Sequence, residues 1–158
     1  RQEVHKDSFK EVRINDIMDT MRSAGINVAA NYIFGLPMDT AESMQSTLDF
    51  SIEHMAEMVN FYCAMAYPGS PLNLQARKNG WKLPDSYIGY SQHAYETQNL
   101  PNANLTAPQI LEFRDKAWMK YHTNPKYLDL LETKFGPNAR TNLEQTTKIK
   151  LKRKLLGD

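Results

Sequence analysis

The apolar residues Ile14, Ile17, Met18, Met21 and Ala24 share one face of a 3.6-residue period, which predicts a helix. Gly25 stands where a left-handed cap closes such a helix. The period then vanishes. Ile26 to Phe34, INVAANYIF, runs without polar alternation, the pattern of a strand covered on both faces. Pro37 has no N–H to give a sheet ladder, so this strand ends by Leu36. Asp39 with Glu42 makes a capping-box pattern, and Thr40 is a competing cap. The helix behind them places Ala41, Met44, Leu48, Ile52 and Met55 on one side. Val59 to Tyr67, VNFYCAMAY, is a second buried-strand run. Helix, strand, helix, strand predicts a parallel α/β unit with a right-handed crossover.

Beyond Tyr67 the pattern changes. Pro68 to Leu72, PGSPL, predicts a turn, and Asn73 to Asn79 a short helix ending at Gly80. Trp81 to Asn104 is rich in Tyr, Pro, Asn and Gly and has no period, a length that marks a functional loop or a misread element. Thr106 with Gln109 is a further capping box, before a helix whose face is Ile110, Phe113, Ala117 and Tyr121. Thr123 to Pro125 stops that helix and starts another with Pro125 at its first position. Gly136-Pro137 closes it, and Thr141 with Glu144 predicts a cap for a last, polar and basic helix.

Composition changes this picture little. At 158 residues, 41% hydrophobic and 23% charged, the chain has the size of one domain and enough apolar material for a core. A net charge of +1 points neither to nucleic acid nor to a membrane surface. Lys148 to Lys154, KIKLKRK, concentrates five cations, as a solvated end or, less often, a phosphate patch. Cys63 is the single cysteine, so no internal disulfide forms, which fits a reducing, cytoplasmic setting. No apolar run reaches the roughly 18 residues of a membrane span, and no signal peptide is expected.

Two parallel strands do not make a stable sheet covered on both faces. Both runs therefore expect neighbours outside this chain, which suggests a slice of a larger barrel or open sheet. Ligands of such sheets sit at the carboxyl ends of the strands. Here these ends are Gly35-Leu36-Pro37 and Tyr67-Pro68-Gly69-Ser70. Gly35 would let a ligand ring lie on its backbone. Amides opening the Asp39 or Thr40 helix suit a carboxylate or phosphate. The same residues read equally well as plain strand-to-helix turns. His5, His54, His93 and His122 have no ligand spacing, and His93, in the long loop, is the one to test for a substrate role. Cys63, in mid-strand, reads as a small hydrophobe.

AGINVAANYIFGLPMDTAESMQSTLDF, NFYCAMAYPGSPL and LTAPQILEFRDKAWMKYHTNPKYL together resemble the second half of radical S-adenosylmethionine enzymes. The branch is the one whose members often carry an N-terminal cobalamin-binding domain. It includes methyltransferases and the anaerobic oxidative cyclase of chlorophyll synthesis. The resemblance implies a partial (βα) barrel, with Asn31 to Pro37 as its fifth strand and Val59 to Ala66 as its sixth. It implies an adenosyl-facing rim at Ile33, Gly35, Leu36, Pro37, Tyr67 and Pro68. Asn31 and Met38 depart from the Gly and Glu of the family's GxIxGxxE-like pattern. The family's CxxxCxxC motif, which holds a 4Fe–4S cluster, does not occur in the chain and would lie upstream of Arg1.

The expected organisation is residues 1–80 as the C-terminal segment of a (βα) barrel, 81–104 as a long loop, and 105–158 as a helical extension with a basic end. The expected function is part of an iron–sulfur oxidoreductase or methyltransferase using S-adenosylmethionine, with cobalamin as an optional further cofactor, and inactive alone. Its partners would be the rest of its own barrel and an unknown substrate, with self-association of the isolated piece. A nucleotide- or phosphate-binding βαβ module is the second reading, and a helical interaction module the third.

Overall fold

The structure, a computed structural model, describes residues 13–158. His5 and the rest of residues 1–12 lie outside the described residues. In chain order the elements are α1 (Ile14–Ser23), β1 (Ala29–Phe34), α2 (Ala41–Glu53), β2 (Met58–Cys63) and α3 (Pro71–Lys78). A 3-10 turn at Tyr87–Tyr90 interrupts the long loop, and α4 (Ala107–His122), α5 (Pro125–Phe135) and α6 (Pro137–Thr146) follow. A second 3-10 turn spans Lys154–Leu156. No helix among the described residues is long and apolar enough to cross a membrane.

β1 and β2 pair in parallel, from Ala29 beside Met58 to Phe34 beside Cys63, with α2 as the crossover. Among the described residues this sheet has two strands, so the chain is mixed α/β and not a closed barrel. The strands are shorter than the apolar runs. Pairing stops where Ala64 N donates to Phe34 O at 2.8 Å, because β1 turns away at Gly35. Ala64, Met65 and Ala66 stay buried as irregular chain.

Among the described residues only one face of the sheet is covered. Phe34, Val59, Phe61 and Cys63 are buried with Met44 and Leu48 of α2 and Ile110, Leu111, Ala117 and Tyr121 of α4. Ala29, Asn31, Ile33, Met58 and Asn60, on the opposite face, are exposed. The expected double coverage is thus corrected: every described helix that packs on the sheet lies on one side of it. Phe61 centres the core. It stacks on Tyr32 and Phe34, each at 5.6 Å, and meets the edge of Tyr121.

Buried polar groups tie the elements together. Tyr121 Oη accepts from Ala56 N and donates to Ala56 O, both at 3.0 Å. Glu57, 1% exposed, accepts from Arg22 Nε at 3.1 Å and Val28 N at 2.9 Å, locking α1 to the sheet. A hydrogen bond from Arg22 to Met55 O strengthens the same joint.

Two capping expectations change. The box of α2 is Thr40 with Ser43, which exchange backbone and side-chain hydrogen bonds. Asp39 folds the preceding turn instead, accepting from Leu36 N at 2.9 Å. The last helix begins at Pro137, just after Gly136 breaks α5 at φ 86°, so Thr141 and Glu144 lie inside it. The basic stretch from Lys148 to Arg153 is not helical. Thr106 with Gln109 caps α4 as expected, and Pro125 opens α5.

Gly35 is required twice. Its φ is +77°, and a Cβ there would lie 2.6 Å from Ile110 Cγ2. Gly25, at φ +74°, has open space around it. Gly25→Ala is expected to cost about 1–2 kcal/mol from backbone strain. Gly35→Ala should cost about 2–5 kcal/mol, because overpacking against Ile110 adds to that strain. Urea unfolding of the two variants measures the difference.

Burial lowers the His122 imidazole to about 4, with Trp118 O as its hydrogen-bond partner at 2.8 Å. Its unfolded counterpart protonates near 6.5, so between these values the unfolded state binds the extra proton. Stability from this group is fully present above pH 6.5 and is lost as pH falls toward about 4. His122→Phe is expected to flatten the dependence of unfolding free energy on pH in that window.

Candidate functional site

The carboxyl ends of β1 and β2 lie side by side at Phe34 and Cys63; Gly35-Leu36-Pro37 follows the first directly, and Tyr67-Pro68, the rest of the expected rim, comes four residues after the second. The rim residues differ in access. Ile33, Tyr67 and Pro68 are exposed, Leu36 and Pro37 half-buried, and Gly35 buried. Ile33 projects on the open sheet face rather than from the turn. Tyr67 stacks on Tyr90 of the 3-10 turn, with ring centroids 5.8 Å apart. The bare side of Gly35 is filled by Ile110 from within the chain.

The turn between β1 and α2 is held from two directions. Asp39 N donates to Leu36 O at 2.9 Å, and Asn102 of the long loop donates to the same oxygen at 2.9 Å. Asn102 and Asn104 also reach Asp39 O. Of the amides opening α2, Ser43 N is taken by the Thr40 hydroxyl. The carboxylates of Asp39 and Glu42 flank this end. An anion entering there meets like charge, which disfavours the phosphate-module reading.

The open sheet face adds residues that the apolar runs concealed. Asn31 and Asn60 are paired in register, and Asn60 Nδ2 donates to Asn31 Oδ1 at 3.0 Å. Ile33, 44% exposed, lies beside Tyr62. Met58, 49% exposed, completes an apolar floor carrying two amides. Counting alternate residues along each run would have found this set once the strands were assigned.

The two sheet edges are unlike. Met58 N donates to Val28 O and Ala64 N to Phe34 O, so Val59, Phe61 and Cys63 turn their backbone groups away from β1. Gln92 takes the place of a neighbouring strand there. Its Oε1 accepts from Cys63 N at 2.9 Å and its Nε2 donates to Cys63 O at 3.1 Å. Arg114, 2% exposed, donates through Nε to Phe61 O at 2.8 Å. Leu100 N donates to Ala64 O at 3.1 Å. The long loop and α4 thereby close the outer edge of β2. The outer edge of β1, at Ala29, Asn31 and Ile33, has no strand partner among the described residues.

Cys63 is buried, and desolvation pushes its thiol up to about 12. A thiol so placed stays protonated and packs as a small hydrophobe. One cysteine does not fit an iron–sulfur cluster. No group of three or more His, Cys, Asp or Glu among the described residues could hold a metal ion. His54 packs edge-on against Phe50 at 4.4 Å. His93 is far along the chain from the rim and lies beside the C-terminal segment, in a groove that also contains Arg114.

The chain is 24% identical over 113 residues to an uncharacterized methyltransferase of Pyrococcus horikoshii. That match covers 72% of this chain and 24% of the archaeal protein, so the chain spans about a quarter of the relative's length. No family profile matches the chain. No solved structure matches it.

Gln92→Ala is expected to leave Cys63 N and O buried without partners and to destabilise the protein by about 2–4 kcal/mol. Gln92→Glu keeps the acceptor but sets a carboxylate oxygen against Cys63 O in a buried site, and should be at least as destabilised as Gln92→Ala. Chemical denaturation ranks the three proteins.

Proposed function

We propose that this chain supplies the adenosyl-facing side of a methyltransferase-like radical S-adenosylmethionine enzyme and acts as part of a longer protein. The asymmetry of the sheet carries the reading. Among the described residues one edge is closed by Gln92 and Arg114, while the other edge has no strand partner and one face no helix. A last barrel strand needs the first arrangement, and a strand that still awaits its neighbour needs the second. The rest of the barrel would pair with β1, which gives the isolated chain a route to self-association. The similarity to an uncharacterized methyltransferase supports use of S-adenosylmethionine.

The residues present suit an adenosyl group. Ile33 and Tyr67 offer apolar surface to a flat base, and the Asn31 and Asn60 amides offer donors and acceptors to its edge or ribose. Gly35, Leu36, Pro37 and Pro68 shape the rim around them. S-adenosylmethionine would bring a methyl group for transfer, with cobalamin as carrier, or a bond for reductive cleavage. The iron–sulfur cluster that cleavage requires would be held by cysteines outside this chain, since Cys63 does not fit one.

The test uses the longer protein that contains this chain, reconstituted anaerobically with iron and sulfide and supplied with S-adenosylmethionine and dithionite. Formation of 5′-deoxyadenosine or S-adenosylhomocysteine is the expected result. Ile33→Asp, a change on an exposed residue, should raise the KM for S-adenosylmethionine by on the order of tenfold while the fold is kept. Neither product from a cluster-loaded protein, or an unchanged KM in the variant, overturns the proposal.

A further inference from the structure

A second concavity, unrelated to the sheet rim, lies between α4 and the C-terminal segment and has a volume of ≈ 890 Å³. Trp118 and Met119 of α4 form one wall, and Ile149, Leu151 and Leu156 the other. Met119, Ile149, Leu151 and Leu156 are all exposed apolar side chains, gathered here from two separate parts of the chain. The C-terminal wall is anchored. Arg153, fully buried, donates through Nε and Nη2 to both Asp115 carboxylate oxygens at 2.8 and 2.9 Å, and through Nη1 to Ala94 O at 3.0 Å. Lys154 N donates to Tyr95 O at 2.9 Å.

The polar end of the groove is electrically incomplete. Arg114 and Arg153, both buried, share the single carboxylate of Asp115. Every nitrogen of the Arg153 guanidinium is bonded. Arg114 uses Nε on Phe61 O and Nη1 on Asp115, and its Nη2 makes no hydrogen bond among the described residues. Arg114 lines the groove. Arg114, a residue lining the cleft, therefore keeps one donor without a protein partner among the described residues, and the two guanidinium groups share one carboxylate.

We propose that this groove binds a small amphipathic monoanion, an apolar body carrying one carboxylate that accepts from Arg114 Nη2. The charge count favours a monoanion over phosphate. Glu112 and Asp158 line the same cleft and are already paired with Lys116 and Lys150, so a dianion would meet carboxylates with their cations engaged. Lys148 remains at the mouth to steer an anion inward. The apolar walls favour an anion with a hydrophobic body. The site stands independently of any adenosyl chemistry at the rim.

Octanoate is the probe, with octanol and inorganic phosphate as controls. Trp118 lies in the wall and Trp81 does not, so fluorescence of the Trp81→Phe protein follows occupancy. Saturable octanoate binding is expected, at least tenfold tighter than octanol, with phosphate neither binding nor competing. Arg114→Gln should abolish the preference for octanoate over octanol. Because Arg114 also supports β2, Met119→Asp on the exposed wall provides a second variant, expected to weaken octanoate by on the order of tenfold. Equal binding of octanol and octanoate, competition by phosphate, no saturation below about 1 mM, or wild-type affinity in Met119→Asp overturns the proposal.

Discussion

A parallel strand at the end of a sheet has backbone groups pointing into space that water cannot reach once helices pack over it. At β2 those groups are met by Gln92, whose amide reproduces the donor and acceptor of a missing strand at Cys63, and by Arg114 at Phe61. Much of the remaining architecture follows from this closure. It requires the loop between α3 and α4 to run along the strand, and it draws a charged residue of α4 into the core. Arg114 then needs Asp115, Asp115 attracts Arg153, and Arg153 pins the C-terminal segment across α4.

The opposite edge shows what happens without such groups. Among the described residues β1 has no Gln or Arg substitute, and the face bearing Asn31, Ile33, Met58 and Asn60 has no helix over it. Two parallel strands with one bare face are marginal as an independent sheet. The asymmetry leaves a βαβ unit that is coherent internally on its covered side. It also separates two kinds of chemistry in space: an apolar, amide-bearing sheet face, and a charged groove behind α4.

Several elements were legible because their causes are local. The Thr106–Gln109 box, Pro125 after Asn124, and the apolar faces of α2 and α4 depend on residues within a turn or two of one another. The α2 cap is ambiguous in the sequence for a related reason. Asp39 and Thr40 both have suitable side chains, and only the turn from Leu36 decides which points to the helix amides. For the rim, Gly35-Leu36-Pro37 and Tyr67-Pro68 could be found from strand ends, whereas Asn31 and Asn60 were hidden inside runs that looked uniformly buried.

Hydrophobic period, caps and breakers, all short-range, determined where helices and strands form and that the strands run parallel around a crossover helix. Which face of the sheet is covered, what occupies the bare side of Gly35, and how Gln92, Arg114, Asp115 and Arg153 assemble were decided by the tertiary structure. The long-range contacts among them join residues 29 to 75 positions apart, beyond the reach of any local pattern. A buried charge or amide is stable only with its partners in place, and the partners are chosen by the packing of whole elements rather than by their neighbours in sequence.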